Sequence, residues 1–145
     1  MNVPGLRSCY DKVGGIVHFG RMLDKIRLHA QGKLPAEYHE NLGIGFDGRC
    51  VNFLHVKYPE LVERVRQGGN DGEILQWCFE RGRKPSDEEV EIWNGFMMKR
   101  GWNDTVSKRL AERKKETGFE NRADIQTFFD FIDADEGRVP GGGKS

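Results

Sequence analysis

The densest run of charged side chains with a definite spacing is Arg21-Met22-Leu23-Asp24-Lys25-Ile26-Arg27. At about 100° per residue, Asp24 and Arg27 fall within an apolar arc of Ile16, Phe19, Met22, Leu23, Ile26 and Ala30. An ionised carboxylate in such a place costs several kcal/mol unless it is paired. Arg21 and Arg27 stand three residues to either side of Asp24, within side-chain reach on a helix. Two readings follow. Either the three form a buried ion network that fixes helix register, or one arginine is spare and lines a pocket for a small anion. A guanidinium suits that task because it holds carboxylate or phosphate through two parallel hydrogen bonds. Arg49, at the start of a later helix, is a further candidate for the same anion site. On the network reading, Asp24→Asn should cost about 3–5 kcal/mol.

Other motifs carry less. Gly43-Ile44-Gly45-Phe46-Asp47-Gly48 matches the spacing of a dinucleotide loop, but no strand precedes it, and Asp47 puts a carboxylate where phosphate would sit. It reads as a loop entering a helix capped by Asp47. Gly143-Lys144-Ser145 has no helix after it to hold phosphate, and Asp133 to Gly137 departs from a calcium loop at the glycine and at the twelfth residue. His18 and His29 share the polar strip of the first helix with Arg21 and Lys25. Eleven residues separate the two histidines, about 16 Å of helix, so they cannot bind one metal together. No metal site and no cofactor is expected, and no nucleophile signature is visible.

These residues must be positioned by helices. Capping signals recur along the second half: Asp71 to Gly82, Ser86 with Glu89 to Gly101, and Asp104 to Gly118. Apolar periodicity predicts a first helix from about Asp11 to Ala30, polar on one narrow strip only, and therefore enclosed by others. Asp47 to about His55 is short, with Val51 and Leu54 inward. Pro59 starts a helix reaching about Gln67. The last runs from about Arg122 to Asp135, with Ile125, Phe128, Phe129 and Ile132 inward and Asp130 and Asp133 facing away. No stretch shows sustained alternation of period two. The fold expected is all-α: a compact bundle of about six or seven short helices around a buried N-terminal helix. One domain should occupy residues 1–145, ordered over about 8–137, with 138–145 a flexible tail of Pro140 and three glycines.

Composition narrows the function classes. Lysine plus arginine equals aspartate plus glutamate at 23 each, so a dedicated nucleic-acid binder is disfavoured, even with the basic stretch Lys108 to Lys115. No apolar run reaches the length of a membrane span. Cys9, Cys50 and Cys78 are odd in number and widely spaced, which points to a reducing cytoplasm.

At Tyr10 to Gly15, Arg21 to Leu28, Gly45 to Cys50, Trp93 to Trp102 and Asp124 to Asp133, the chain resembles a bacterial family known as a domain of unknown function. The resemblance runs from about Tyr10 to Arg138. It implies a small cytoplasmic domain and supplies no activity, cofactor or catalytic residue. The expectation is a non-enzymatic, ligand-sensing or interaction module. The alternative is a small enzyme or anion-binding domain built on Arg21, Asp24 and Arg27. A small anionic ligand and a second copy of the chain stand as candidate partners.

Overall fold

The computed structural model describes residues 1–141. The last four residues of the expected flexible tail, 142–145, lie outside the described residues. The chain forms a two-stranded hairpin, β1 (Lys12–Val13) and β2 (Ile16–Val17), then α1 (Phe19–Ala30) and a 3-10 segment at Ala36–Asn41. Six helices follow: α2 (Phe46–Leu54), α3 (Tyr58–Arg66), α4 (Asp71–Arg81), α5 (Asp87–Lys99), α6 (Ser107–Glu116) and α7 (Phe128–Asp135). The protein is a small all-α bundle.

The first helix starts eight residues later than its periodicity suggested. Gly14 and Gly15 both take positive φ, 56° and 80°, which is the two-residue turn that matches strand twist. Lys12 pairs with Val17 and Val13 with Ile16. Asn94 on α5 clamps this hairpin, accepting from the Val17 amide at 3.1 Å and donating to the Gly15 carbonyl at 2.8 Å. What remains of the first helix is central: Phe19 to Ile26 are all buried, and so is Leu28. Its apolar side packs into a main core with Leu54, Leu61, Ile74, Cys78, Met97 and Phe129.

Several ends differ from their sequence signals. Asn70, not Asp71, caps α4, with Glu73 completing a capping box; Ser86 and Glu89 form the box expected on α5. α2 begins at Phe46 with Gly45 before it, so Asp47 lies inside the helix and turns inward. α7 begins at Phe128, capped by Thr127, and buries Asp130 and Asp133, which periodicity had faced outward. They are buried because residues 1–10 fold back over this helix. Ser8 Oγ donates to Asp133 at 2.6 Å, and Tyr10 OH donates to Asp130 at 2.6 Å. Val3 and Leu6 are buried with Leu28 and Leu34, and Arg138 donates to the Leu6 carbonyl. Trp102, next to the positive-φ Gly101, is exposed.

Candidate functional site

Arg21, Asp24 and Arg27 lie on one helix but do not pair as a set. Arg21 forms a bidentate pair with Glu136, at 2.8 and 2.7 Å, and also donates to the Arg7 carbonyl at 3.0 Å. Burial alone would raise the Glu136 carboxyl, but Arg21, Arg138 and the Tyr38 hydroxyl hold it below the ordinary range. Asp24 is claimed by Arg7: the backbone amide reaches Oδ2 at 2.9 Å, and the guanidinium reaches both oxygens at 2.8 and 3.0 Å. Arg27 sits 3.9 Å from Asp24 and bonds Asp71 at 2.7 Å. Arg7 spans Asp24 and Asp71 and also donates to the Gly20 carbonyl. Gly20 permits this approach, since a Cβ there would come within 2.9 Å of the Arg7 guanidinium carbon. Each of the three charges has an opposite partner, and together they tie residues 1–10, α1, the start of α4 and the end of α7.

Arg49 stands apart from that network. It lies in a cleft of about 360 Å³ on another side of α1, lined also by His18, Lys25, Gly45, Phe46, Arg100 and Arg109. α2 supplies Arg49 one turn into the helix. The segment leaving α5 supplies Arg100, and α6 supplies Arg109. Gly45 is required at the bend into α2, because its φ of 58° with ψ of −126° is open only to glycine.

Behind the cleft lies a buried triad. Asp47 accepts from His18 Nε2 at 2.8 Å through one oxygen and from Lys25 Nζ at 2.9 Å through the other; the Gly43 amide also reaches it at 3.2 Å. All three side chains are almost wholly buried. Burial pushes the His18 imidazole down, and Lys25 and Arg21 add to that against the pull of Asp47. Burial would raise the Asp47 carboxyl, but His18 and Lys25 hold it below the ordinary range. His18 is thus neutral. Because the carboxylate can only accept, Nε2 carries the hydrogen, leaving Nδ1 as a lone pair with no partner among the described residues. His18 also takes a left-handed φ of 71° at the N-cap of α1, a strained conformation for a residue with a Cβ.

The electrostatic consequence is a cleft of one sign. Its lining contains Lys25, Arg49, Arg100 and Arg109 and no aspartate or glutamate. Asp47 neutralises Lys25. Arg100 and Arg109 keep long contacts to carboxylates outside the lining, 3.5 Å to Asp104 and 3.5 Å to Glu112. Arg49 has no carboxylate within salt-bridge distance among the described residues; its guanidinium lies 5.2 Å from the centre of the Phe96 ring, and that of Arg100 lies 5.4 Å from the same ring. Stacked guanidinium groups keep their in-plane N–H donors for a ligand. Among the described residues no group of three or more His, Cys, Asp and Glu side chains could hold a metal ion.

Sequence reasoning singled out Arg49 but not Arg100, Arg109 or the triad. One signal was legible: His18 and Lys25, seven residues apart, share a helical face and stood together on the polar strip. Their partner Asp47 comes from a different element, and its capping role was the competing explanation.

Fold and site define a small all-α domain with a cationic cleft and a separate internal ion network. The chain belongs to the family described as a domain of unknown function, DUF5069, whose model matches residues 3–138. A comparison with curated proteins gives no match. Among the described residues no helix is long and apolar enough to cross a membrane.

Proposed function

We propose that the protein is a non-enzymatic, ligand-sensing module of the cytoplasm whose cleft at Arg49, Arg100 and Arg109 takes a small anion of the phosphate or carboxylate class. The observation that carries this reading is Arg49: a guanidinium with no acidic partner among the described residues, in a cleft whose lining holds no carboxylate. Its volume lies at the lower end of the range for metabolite sites, about 300–1,000 Å³. The Arg21, Asp24 and Arg27 cluster is the scaffold in this reading, since its charges are matched internally. Cytoplasmic residence is supported by the three buried free thiols. Burial pushes Cys9 to about 11 and Cys78 to about 12, so both stay as unreactive thiols.

Isothermal calorimetry with inorganic phosphate and with acetate tests the proposal. Binding at millimolar concentration is expected, weakened about tenfold or more by Arg49→Gln and by Arg100→Gln. Absence of binding to the wild-type chain, or wild-type affinity retained in both variants, would overturn it.

A further inference from the structure

Arg49 borders a second concavity. On its far side lies a groove of about 660 Å³ between α2 and α5, lined by Arg49, Asn52, Phe53, Glu89, Ile92, Trp93 and Phe96. Ile92 is 63% exposed and Phe96 42% exposed, a high degree of exposure for side chains of this kind, and they lie beside each other on one helical face. Phe53 and Trp93 stack under the groove with centroids 4.7 Å apart and planes 9° from parallel. Trp93 is anchored by its indole N–H to the Val17 carbonyl, and Arg83 lies over the other aromatic, Phe53. The one acid in the lining, Glu89, is engaged by Arg83 and by the cap of α5.

We infer that the ligand is an amphiphilic small anion: its charged head lies against Arg49 and Arg100 in the cleft, and an apolar, preferably aromatic, substituent lies along Phe53, Ile92, Trp93 and Phe96. The inference rests on the anion reading above and deepens it to a substrate class. Its basis is continuity. Arg49 lines both concavities, and Phe96, on which the two guanidinium groups rest, is itself part of the groove. A ligand leaving the arginine pair on the α5 side meets apolar and aromatic surface, where removal from water favours a hydrophobic group and disfavours a second charge. An inorganic ion would use only half of this arrangement.

Methyl phosphate and phenyl phosphate separate the two halves, because they share a head group and differ in the apolar part. Calorimetry on the full chain should show phenyl phosphate binding about tenfold tighter or more, with a change in Trp93 fluorescence on titration. Ile92→Gln, at a position exposed enough to leave folding alone, should remove that advantage and leave methyl phosphate affinity unchanged. Equal affinity for the two esters within about twofold, or a full advantage retained in Ile92→Gln, would overturn the inference while leaving the anion site standing. If neither ester nor inorganic phosphate binds, the anion reading fails and this inference fails with it.

Discussion

Asp24 shows how far a single residue's environment depends on chain that is distant in sequence. Its burial in α1 was legible from helical spacing, but its partner is Arg7, seventeen residues away and outside any helix. Arg7 is about a third exposed, so water screens part of what is left when the carboxylate goes. Asp24→Asn should therefore cost about 2–4 kcal/mol, somewhat below the range for a fully buried pair. Urea denaturation measures this, and a neutral variant would show that Arg7 finds equivalent water. His18 makes a complementary test. Its folded pKa lies below the unfolded value of about 6.5, so the unfolded chain binds the extra proton first. The stability contributed by neutral His18 is complete above that pH and declines as pH falls beneath it, by at most about 1.4 kcal/mol per unit. Denaturation at about pH 7.5 and about pH 5 (about one unit above and one and a half below the unfolded value) should show the decline, and His18→Asn should flatten it. Asparagine is suitable because it tolerates the left-handed backbone. An unchanged slope in that variant would place the proton elsewhere.

At the scale of elements, the glycines separate what spacing can and cannot say. Gly82 closes α4 as its sequence suggested, but not through a left-handed turn: its φ is −107°. It is needed because the chain passes against the end of α2, where a Cβ would stand 2.0 Å from the Leu54 carbonyl oxygen. The next residue donates to that same oxygen, Arg83 N to Leu54 O at 3.0 Å. Gly82→Ala should therefore destabilise the fold by about 2–3 kcal/mol or more, although alanine is the better helix former. A melting curve unmoved by the change would show that α2 and α4 can part without loss. The same contrast explains which elements were legible. Helices with local caps, such as α5 with Ser86 and Glu89, are specified by neighbours in sequence and fell where expected. The Gly14–Gly15 turn falls inside the predicted first helix, because apolar residues at 13, 16 and 17 satisfy both periods over so short a span. The predicted start of α7 lies too early because Ile125 continues its apolar arc while the chain is still in turns and irregular backbone before the Thr127 cap.

For the whole molecule, the unexpected feature is the structural weight of the first ten residues. They carry no helix and few periodic signals, yet Val3 and Leu6 are buried, Arg7 bridges Asp24 and Asp71, and Ser8 and Tyr10 satisfy two buried aspartates of α7. Deleting residues 1–7 removes two buried side chains and the partner of Asp24. The loss should exceed about 4 kcal/mol, from roughly 1.5–3 kcal/mol per apolar side chain plus the orphaned carboxylate. Calorimetric unfolding of the shortened chain checks this, and a loss under about 1 kcal/mol would mean that the segment is only draped over the surface. The division of labour between the two charge clusters has the same origin. Residues close in sequence, Arg21, Asp24 and Arg27, were visible as a group and are matched by charges from both ends of the chain and from the start of α4. Arg49, Arg100 and Arg109 are far apart in sequence, and only the packing of α2, α5 and α6 gathers them around one cleft.

That division is the central claim, and an amide-resolved NMR titration with inorganic phosphate tests it most directly. Saturable shifts should concentrate at Ile44 to Arg49, Arg100 and Val106 to Arg109, and should vanish in Arg49→Gln. Shifts centred instead on Arg7, Arg21 and Arg27, or spread evenly along Lys108 to Lys115, would contradict it.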